Sequence, residues 1–324
     1  MYVMVTGAAG FIGSAVAESL LRDGVRVIGV DNLNAYYEVS LKEARLARLQ
    51  ALPGFEFVKA DISDKEAIFA LRERCEGLTH IVHLAAQAGV RYSLIDPYAY
   101  VSSNVMGHVV MSEFAKSIPT LEHFVYASSS SVYGANKDLP FSIEDRVDQP
   151  DSLYAATKRA DELLARTYAH LWKLPCTGLR FFTVYGPWGR PDMAAFIFTK
   201  AIFEGRPIKV FNNGEMWRDF TYIDDIVAGV IAVMKQPPTD VTPPAKVYNL
   251  GNHKSEKLTD FVATLEKAVN RKAEIEFAPL QPGDVPSTYA DIEASQRDFG
   301  FEPKTSIDKG IPAFVQWYRE YYGV

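Results

Sequence analysis

The sequence predicts an α/β fold, a doubly wound parallel sheet carrying a smaller C-terminal α/β cap. Three observations predict it. Short apolar runs of strand length alternate with amphipathic, helix-length segments through the first half of the chain. A glycine-rich turn separates the first such run from the first helix. Beyond Phe182, prolines break the rhythm into shorter pieces. With 324 residues, 48% of them hydrophobic, the chain can bury a sizeable core and has room for roughly two domains.

Tyr2-Val3-Met4-Val5-Thr6 reads as a buried strand, followed by Gly7-Ala8-Ala9-Gly10-Phe11-Ile12-Gly13 and an apolar helix through Leu20 and Leu21. Residues 25–30 make the second strand, which ends at Asp31-Asn32. Gly7, Gly10 and Gly13 let the backbone approach a pyrophosphate at the positive end of the helix. An acid closing the second strand can bind the adenosine ribose hydroxyls. Asp31 therefore favours NAD over NADP, whose extra phosphate it would repel. Glycine is also the default turn residue. The full order of strand, turn, helix, strand and acid is what makes this a Rossmann-type dinucleotide site.

The alternation continues. Phe55-Glu56-Phe57-Val58 leads to Asp61-Ile62, and His80-Ile81-Val82-His83-Leu84 leads to Ala85-Ala86, two strand ends where small or polar residues can line a dinucleotide crevice. A helix is expected over 98–115. Phe124-Val125-Tyr126-Ala127 then delivers the run Ser128-Ser129-Ser130-Ser131. A further helix opens near Tyr154, with Asp151 or Ser152 as N-cap and Leu163, Leu164, Tyr168 and Leu171 as its apolar stripe. It leads to a strand over 176–181.

Tyr154 and Lys158 stand four apart on that helix, so the phenol and the ammonium are neighbours. Tyr133 and Lys137 have the same spacing, but Gly134 and Asn136 between them read as loop. A free phenol ionises near pH ~10, so a tyrosine base acting near neutrality needs a shift of about three units, roughly 4 kcal/mol. A lysine and a positive nicotinamide beside it would both favour the phenolate.

Beyond Phe182, Pro187, Pro191, Pro207 and the pairs Pro237-Pro238 and Pro243-Pro244 interrupt helices expected over 194–203, 223–234 and 311–322. A strand over 246–250 is expected to return to the main sheet. The NAD-binding domain is therefore drawn over 1–182, with 219–250 returning to it, and the substrate-binding cap over 183–218 and 251–324.

Composition excludes several classes. A net charge of −6 argues against a broad nucleic-acid or membrane surface and leaves room only for a local basic pocket. Cys75 and Cys176 lie far apart, without C-x-x-C spacing, and read as packing residues. No metal constellation stands out: His80 and His83, three apart on a strand, point to opposite faces, and Asp224-Asp225 opens a helix, where acids complement the dipole. Trp317, Tyr318, Tyr321 and Tyr322 read as helix packing. The strand pattern begins within the first five residues, and no apolar run reaches the ~20 residues of a membrane span, so a cytoplasmic protein is expected.

Thr6-Gly7-x-x-Gly10-x-x-Gly13, Asp31-Asn32, Asp61-Ile62, Leu84-Ala85-Ala86, the serines before Val132-Tyr133-Gly134, and Tyr154-x-x-x-Lys158 together resemble the extended short-chain dehydrogenase/reductase family. Within it they resemble the nucleotide-sugar epimerases and dehydratases, over essentially the whole chain. The resemblance implies a tightly held NAD, a UDP-sugar in the cleft under the cap, and Tyr154 as catalytic base. Ser129, counted back from Val132, takes the place of the catalytic hydroxyl at the sugar's O4. Asn104 and Ser128 join the turn residues, Phe11 and Ile12 included, as cofactor contacts, and Ser130 is a sugar contact. Similar 4,6-dehydratases carry an Asp-Glu pair directly after this hydroxyl residue. Ser130-Ser131 cannot replace that acid and base, which leaves oxidation and re-reduction at C4.

The run from Arg180 to Met193, with Ala86 to Ser93 and Arg218 to Asp225, resembles the UDP-glucuronate 4-epimerases. The implied reaction is reversible conversion of UDP-glucuronate to UDP-galacturonate through a 4-keto intermediate. A hexuronate adds one carboxylate to the two phosphate charges. Arg190, with Thr183 and Ser130, could hold that carboxylate through charge-assisted hydrogen bonds; Arg218 suits the diphosphate, and Arg91 is a further candidate. In Gln281-Pro282-Gly283-Asp284, Gln281 stands where many relatives of the wider epimerase family have an arginine and brings no charge. Asp284 is either a uridine ribose contact or a turn aspartate. A homodimer is expected through the helices over 98–115 and 154–171. The alternatives are UDP-galactose 4-epimerase, UDP-glucuronate decarboxylase and, from another class, a non-catalytic NAD-sensing module, which has no need of Ser129, Tyr154 and Lys158.

Overall fold

A computed structural model describes residues 1–281 and 284–324. Seven strands, β1 (Tyr2–Thr6), β2 (Arg26–Asp31), β3 (Phe55–Lys59), β4 (His80–His83), β5 (His123–Ser129), β6 (Cys176–Phe181) and β7 (Ala245–Leu250), form one sheet in the order β7-β6-β5-β4-β1-β2-β3. Every neighbouring pair is parallel. β1 and β4 are buried along their whole length, as strands covered by helices on both faces must be, and this is why they read as continuous apolar runs. The strand order reverses between β1 and β4, so a crevice opens at the carboxyl ends of the strands there. β7 pairs with β6 and is the expected return to the sheet, while the helix Ile223–Met234 packs against the first helix, Phe11–Arg22.

Two segments differ in detail from the sequence reading. Asp31 belongs to β2, held in register opposite Lys59, so the acid is fixed by the ladder as well as by its turn. The helix expected over 98–115 is three pieces: Pro97–Tyr100, a π-helical stretch Val101–Met106, and Gly107–Lys116. The widened turn changes the side-chain phase. Asp96 caps its start by accepting from the Ala99 N–H at 3.2 Å. Among the sequence candidates for the cap of the Tyr154 helix, Leu153–Trp172, Ser152 is the one used; its Oγ accepts the Ala155 N–H at 3.1 Å.

The cap is built from small pairings: Thr183–Tyr185 with Phe220–Tyr222, Ile208–Val210 with Ile275–Phe277, and Trp217–Arg218 with Glu256–Lys257. One apolar core runs without a break from Val3 and Val125 in the sheet to Phe261 and Phe314 in the cap, so the two parts support each other. Trp317 and Tyr318 are buried against Phe196 and Phe314, the packing role read from the sequence. A second tie is polar. Arg45, fully buried, donates to the carbonyls of Ala9 at 3.1 Å, Trp188 at 2.6 Å and Gly189 at 3.1 Å. It fastens the glycine turn to the loop that carries Arg190.

Candidate active site

A cavity of about 1000 Å³ lies at the reversal point of the sheet, between the strand ends and the cap. Every residue assigned to a site from the sequence lines it except Asn104.

Backbone shapes the cofactor pole. Gly7 has φ +71°, and a Cβ there would stand 2.9 Å from the Ala85 nitrogen, so any side chain would push β1 away from the β4 strand end. A Cβ on Gly13 would fall on the Gly7 carbonyl oxygen, so this glycine lets the helix close onto the turn. The helix Phe11–Arg22 starts at Gly10 with no side-chain cap, which leaves its first N–H groups to meet an anion. Asp31 is buried and accepts the Ala9 N–H at 3.0 Å and the Leu33 N–H at 2.8 Å, fixing its carboxylate on the cavity wall. Asp61 accepts from Asn32 at 2.9 Å and from the Ser63 hydroxyl at 2.7 Å; against burial that would raise it, these bonds hold its pKa below the ordinary value. The cradle, the bare helix end and the two acids fit an adenine dinucleotide.

Asn104 stands behind the wall. Buried in the π-helical stretch, it accepts the Gln87 N–H at 2.8 Å and donates to the Gln87 carbonyl at 3.1 Å and to Thr157 Oγ1 at 2.9 Å. It ties the loop after β4 to the Tyr154 helix. Its placement as a direct cofactor contact is thus corrected to one step removed, because all of these polar atoms are engaged inside the protein.

At the centre, Ser129 closes β5, and its Oγ accepts the Ser131 N–H at 3.2 Å. Tyr154 is half-buried in the first turn of its helix, edge-on to Tyr100 with ring centres 6.0 Å apart. Lys158, one turn on, is buried and forms an ion pair with Asp161 at 2.7 Å. Ser128 also lines the cavity, yet its hydroxyl donates to Glu162 at 2.6 Å. Glu162 in turn accepts from Arg180 at 2.9 and 3.0 Å. Arg180 donates onward to the Tyr133 hydroxyl at 3.0 Å, and that hydroxyl donates to Asn249 at 2.7 Å. Burial of Glu162 would raise its pKa, but the Arg180 guanidinium and Ser128 hold it below the ordinary carboxylate range. This network locks the serine loop to β6 and β7. The Ser128 proton is committed to Glu162, although the residue still lines the cavity as a cofactor contact requires.

Paired charges line another part of the cavity, where the sequence places its substrate-contact candidates. Arg190 is clamped by Asp192 at 3.0 and 2.5 Å, and the Tyr36 hydroxyl donates to the same carboxylate at 3.0 Å. Thr183 also lines the cavity. Arg91 pairs with Asp284 at 3.0 Å and lies over the Phe211 ring at 4.7 Å. Asp284 thus meets an arginine across 193 positions of sequence, an engagement that turn chemistry alone does not predict. Arg218 donates only to backbone oxygens and to the Met216 sulfur, and makes no ion pair among the described residues. Burial lowers its pKa, and it is the charge best placed to gain from an anion. Gln281 and Asp284 flank Pro282 and Gly283, which lie outside the described residues.

Sequence reasoning assigned no role to Tyr36, Lys42, Asp192 or Phe211, all of which line the cavity. Asp192 carried a usable signal, since a carboxylate two residues past Arg190 can fold back on it. Lys42 did not: it is buried with its ammonium on Asn34, a contact that only the fold creates.

Known proteins fit this geometry. The family model described as "NAD dependent epimerase/dehydratase family" matches residues 3–251. A probable UDP-glucuronate 4-epimerase of Rhizobium meliloti is 47% identical, over 99% of this chain and 98% of its own length. UDP-glucuronate 4-epimerase 4 of Arabidopsis thaliana is 48% identical over 99% of this chain and 76% of its own length. The crystal structure of UDP-glucuronic acid 4-epimerase from Bacillus cereus, in complex with UDP-glucuronic acid and NAD, superposes with a TM-score of 0.91 at 34% identity, covering 99% of this chain and 100% of the other. The chain belongs to the NAD-dependent epimerase/dehydratase family.

Proposed function

We infer that the chain is an NAD-dependent 4-epimerase that interconverts UDP-glucuronate and UDP-galacturonate. One observation carries the reading. Thr183 and Arg190, the residues suited to a hexuronate carboxylate, line the same cavity as Ser129, Tyr154 and Lys158. The relatives named above support it.

When bound, NAD supplies a hydride acceptor that later returns the hydride. Asp31 and the glycine turn hold its adenosine and pyrophosphate, and Lys158 stands where the cation favours a Tyr154 phenolate. Tyr154 takes the proton of the sugar's C4 hydroxyl, and Ser129 hydrogen-bonds O4 and helps pass that proton. Arg218 answers the diphosphate. The 4-keto sugar turns over in the cleft, and the proton returns from Tyr154 as the opposite face is reduced. A 4-keto uronic acid is a β-keto acid, which loses carbon dioxide when the breaking bond aligns with the carbonyl π system. Arg190, Thr183 and Ser130 hold the carboxylate out of that alignment. Residues 183–218 and 251–324 serve as the substrate cap over the NAD-binding part.

NMR of the products from UDP-glucuronate without added NAD tests substrate, reaction and retained cofactor together. UDP-galacturonate is expected. UDP-xylose would assign the chain as a decarboxylase, and inertness beside turnover of UDP-glucose would assign it as the neutral-sugar epimerase.

We also read the protein as a cytoplasmic homodimer. Tyr98 is 84% exposed and Leu163 52%, on the two helical segments expected to meet a second copy. No helix among the described residues is long and apolar enough to cross a membrane. Light scattering checks the dimer, and Tyr98→Glu with Leu163→Glu should give a monomer.

A further inference from the structure

Among the described residues, Asp161 is the one acid that touches the Lys158 ammonium, and neither the motifs nor the proposed mechanism uses it. It stands on the same helix as Tyr154 and Lys158, is 1% exposed, and accepts from Lys158 at 2.7 Å through Oδ2. Its other oxygen, Oδ1, is buried without a hydrogen-bond partner. A carboxylate left half-satisfied in the interior costs stability. On packing grounds alone, a neutral side chain of the same shape would serve as well.

We propose that Asp161 is a positioning residue for the proton-transfer couple: it holds the Lys158 ammonium in place and offsets part of the charge that lysine presents to Tyr154. This rests on the reading of Tyr154 as base and Lys158 as its neighbouring cation. The two charges sit in a dry environment, where each is felt strongly. A cation one helical turn from Tyr154 favours the ionised phenol, and a carboxylate paired with that cation reduces the effect. The pair keeps the site near neutral before NAD brings its own charges.

The surroundings of the pair are limited. Glu162 on the same helix is the neighbouring acid and is neutralised by Arg180 from β6 and by Arg159 of its own helix. Tyr126 of β5 faces both acids, and Cys176 of β6 lies beside it; burial drives both above their ordinary pKa values and keeps them uncharged. His83 at the end of β4 and His108 from the helix Gly107–Lys116 stand beyond the lysine, and burial, reinforced by the Lys158 charge, lowers both. They too are neutral at physiological pH. Asp161 is therefore the counter-charge that can change without disturbing another ion pair. Burial pushes its pKa up to about 6, with Lys158 opposing, so the offset operates above that pH and fades below it as the carboxyl takes up a proton.

The test is the pH dependence of kcat for Asp161→Asn, on holoenzyme with retained NAD and UDP-glucuronate as substrate. Removing the negative charge leaves the ammonium uncompensated, so the acid limb should move to lower pH, by about one unit. Wild type and variant should converge below about pH 6, where wild-type Asp161 is itself protonated. Asp161→Ser, neutral and smaller, should move the limb the same way while losing more kcat through poorer placement of Lys158. An unmoved limb in both variants would overturn the proposal, as would failure of both to give soluble NAD-bearing protein, which would make Asp161 a folding residue. Tyr154→Phe in the same assay separates the layers: wild-type-like activity there would remove the underlying reading, whereas an inactive Tyr154→Phe with unmoved limbs in the Asp161 variants would remove this proposal alone.

Discussion

The two ends of the cavity are made in different ways. At the glycine-turn end the shape is set mainly by the main chain: a turn with Gly7 at φ +71°, an uncapped helix start at Gly10, Asp31 held by strand register, and the Ala85 N–H donating to Thr6 Oγ1. At the substrate pole it is set by side chains that neutralise one another across the fold, Arg190 with Asp192 and Arg91 with Asp284. A backbone cradle fails all at once when a Cβ fills it. A paired charge can be lost with effects graded by its burial, because water and its partner re-solvate what remains.

The centre, where both poles meet, should show the largest effect. Tyr154→Phe removes the group that moves the proton and should lower kcat by about 10³-fold with NAD still bound, within the range for general acid–base catalysis. Near-normal turnover would mean that the two poles meet over a different residue. Gly7→Val tests the cofactor pole alone. A branched side chain at this positive φ, pressed against the Ala85 nitrogen, should abolish co-purification of NAD, as read from nucleotide released on denaturation. Retained NAD would show that side chains, not the cradle, bind the cofactor.

Arg190→Ala breaks the substrate pole. Loss of a charge-assisted contact should lower kcat/KM for UDP-glucuronate by about 10- to 100-fold. It should also let UDP-xylose appear among the products, because the carboxylate is no longer held out of alignment. A clean epimerisation product at reduced rate would move that protective role to Thr183 or Ser130.

The same contrast explains what the sequence could reveal. The parallel sheet, the glycine turn, Asp31 and the Tyr154 helix were legible because each is written in contiguous residues whose spacing sets their geometry. The seventh strand was legible for the same reason, as a short apolar run. Asn104 lies in a π-helical stretch that nothing in residues 101–106 announces, and its amide is engaged by Gln87 and Thr157. The Ser128 hydroxyl finds its partner, Glu162, 34 residues away, a pairing that its own segment does not announce. Lys42 and Arg45 have no role in the sequence reading, and only the tertiary fold turns them inward onto carbonyl oxygens. Local geometry is readable from sequence, whereas long-range pairing of polar groups is not.

The smallest expected effect compares two arginines within the substrate pole. Arg91 has a carboxylate partner and a side chain 52% exposed, so Arg91→Gln should change KM for UDP-glucuronate by less than about threefold, the scale of an exposed ion pair. Arg218 makes no ion pair among the described residues and lies deeper, with Asp284 acting on it only from a distance, so an arriving diphosphate would be its first direct ion-pair partner. Arg218→Gln should therefore raise KM by about tenfold, and the effect should persist at high salt, which screens an exposed charge far more than a buried one. Steady-state kinetics at two ionic strengths measures both. An equal, salt-sensitive loss in the two variants would mean that partnering within the pole does not set the energetics, and the distinction between cradle and paired charge would apply only at the cofactor end.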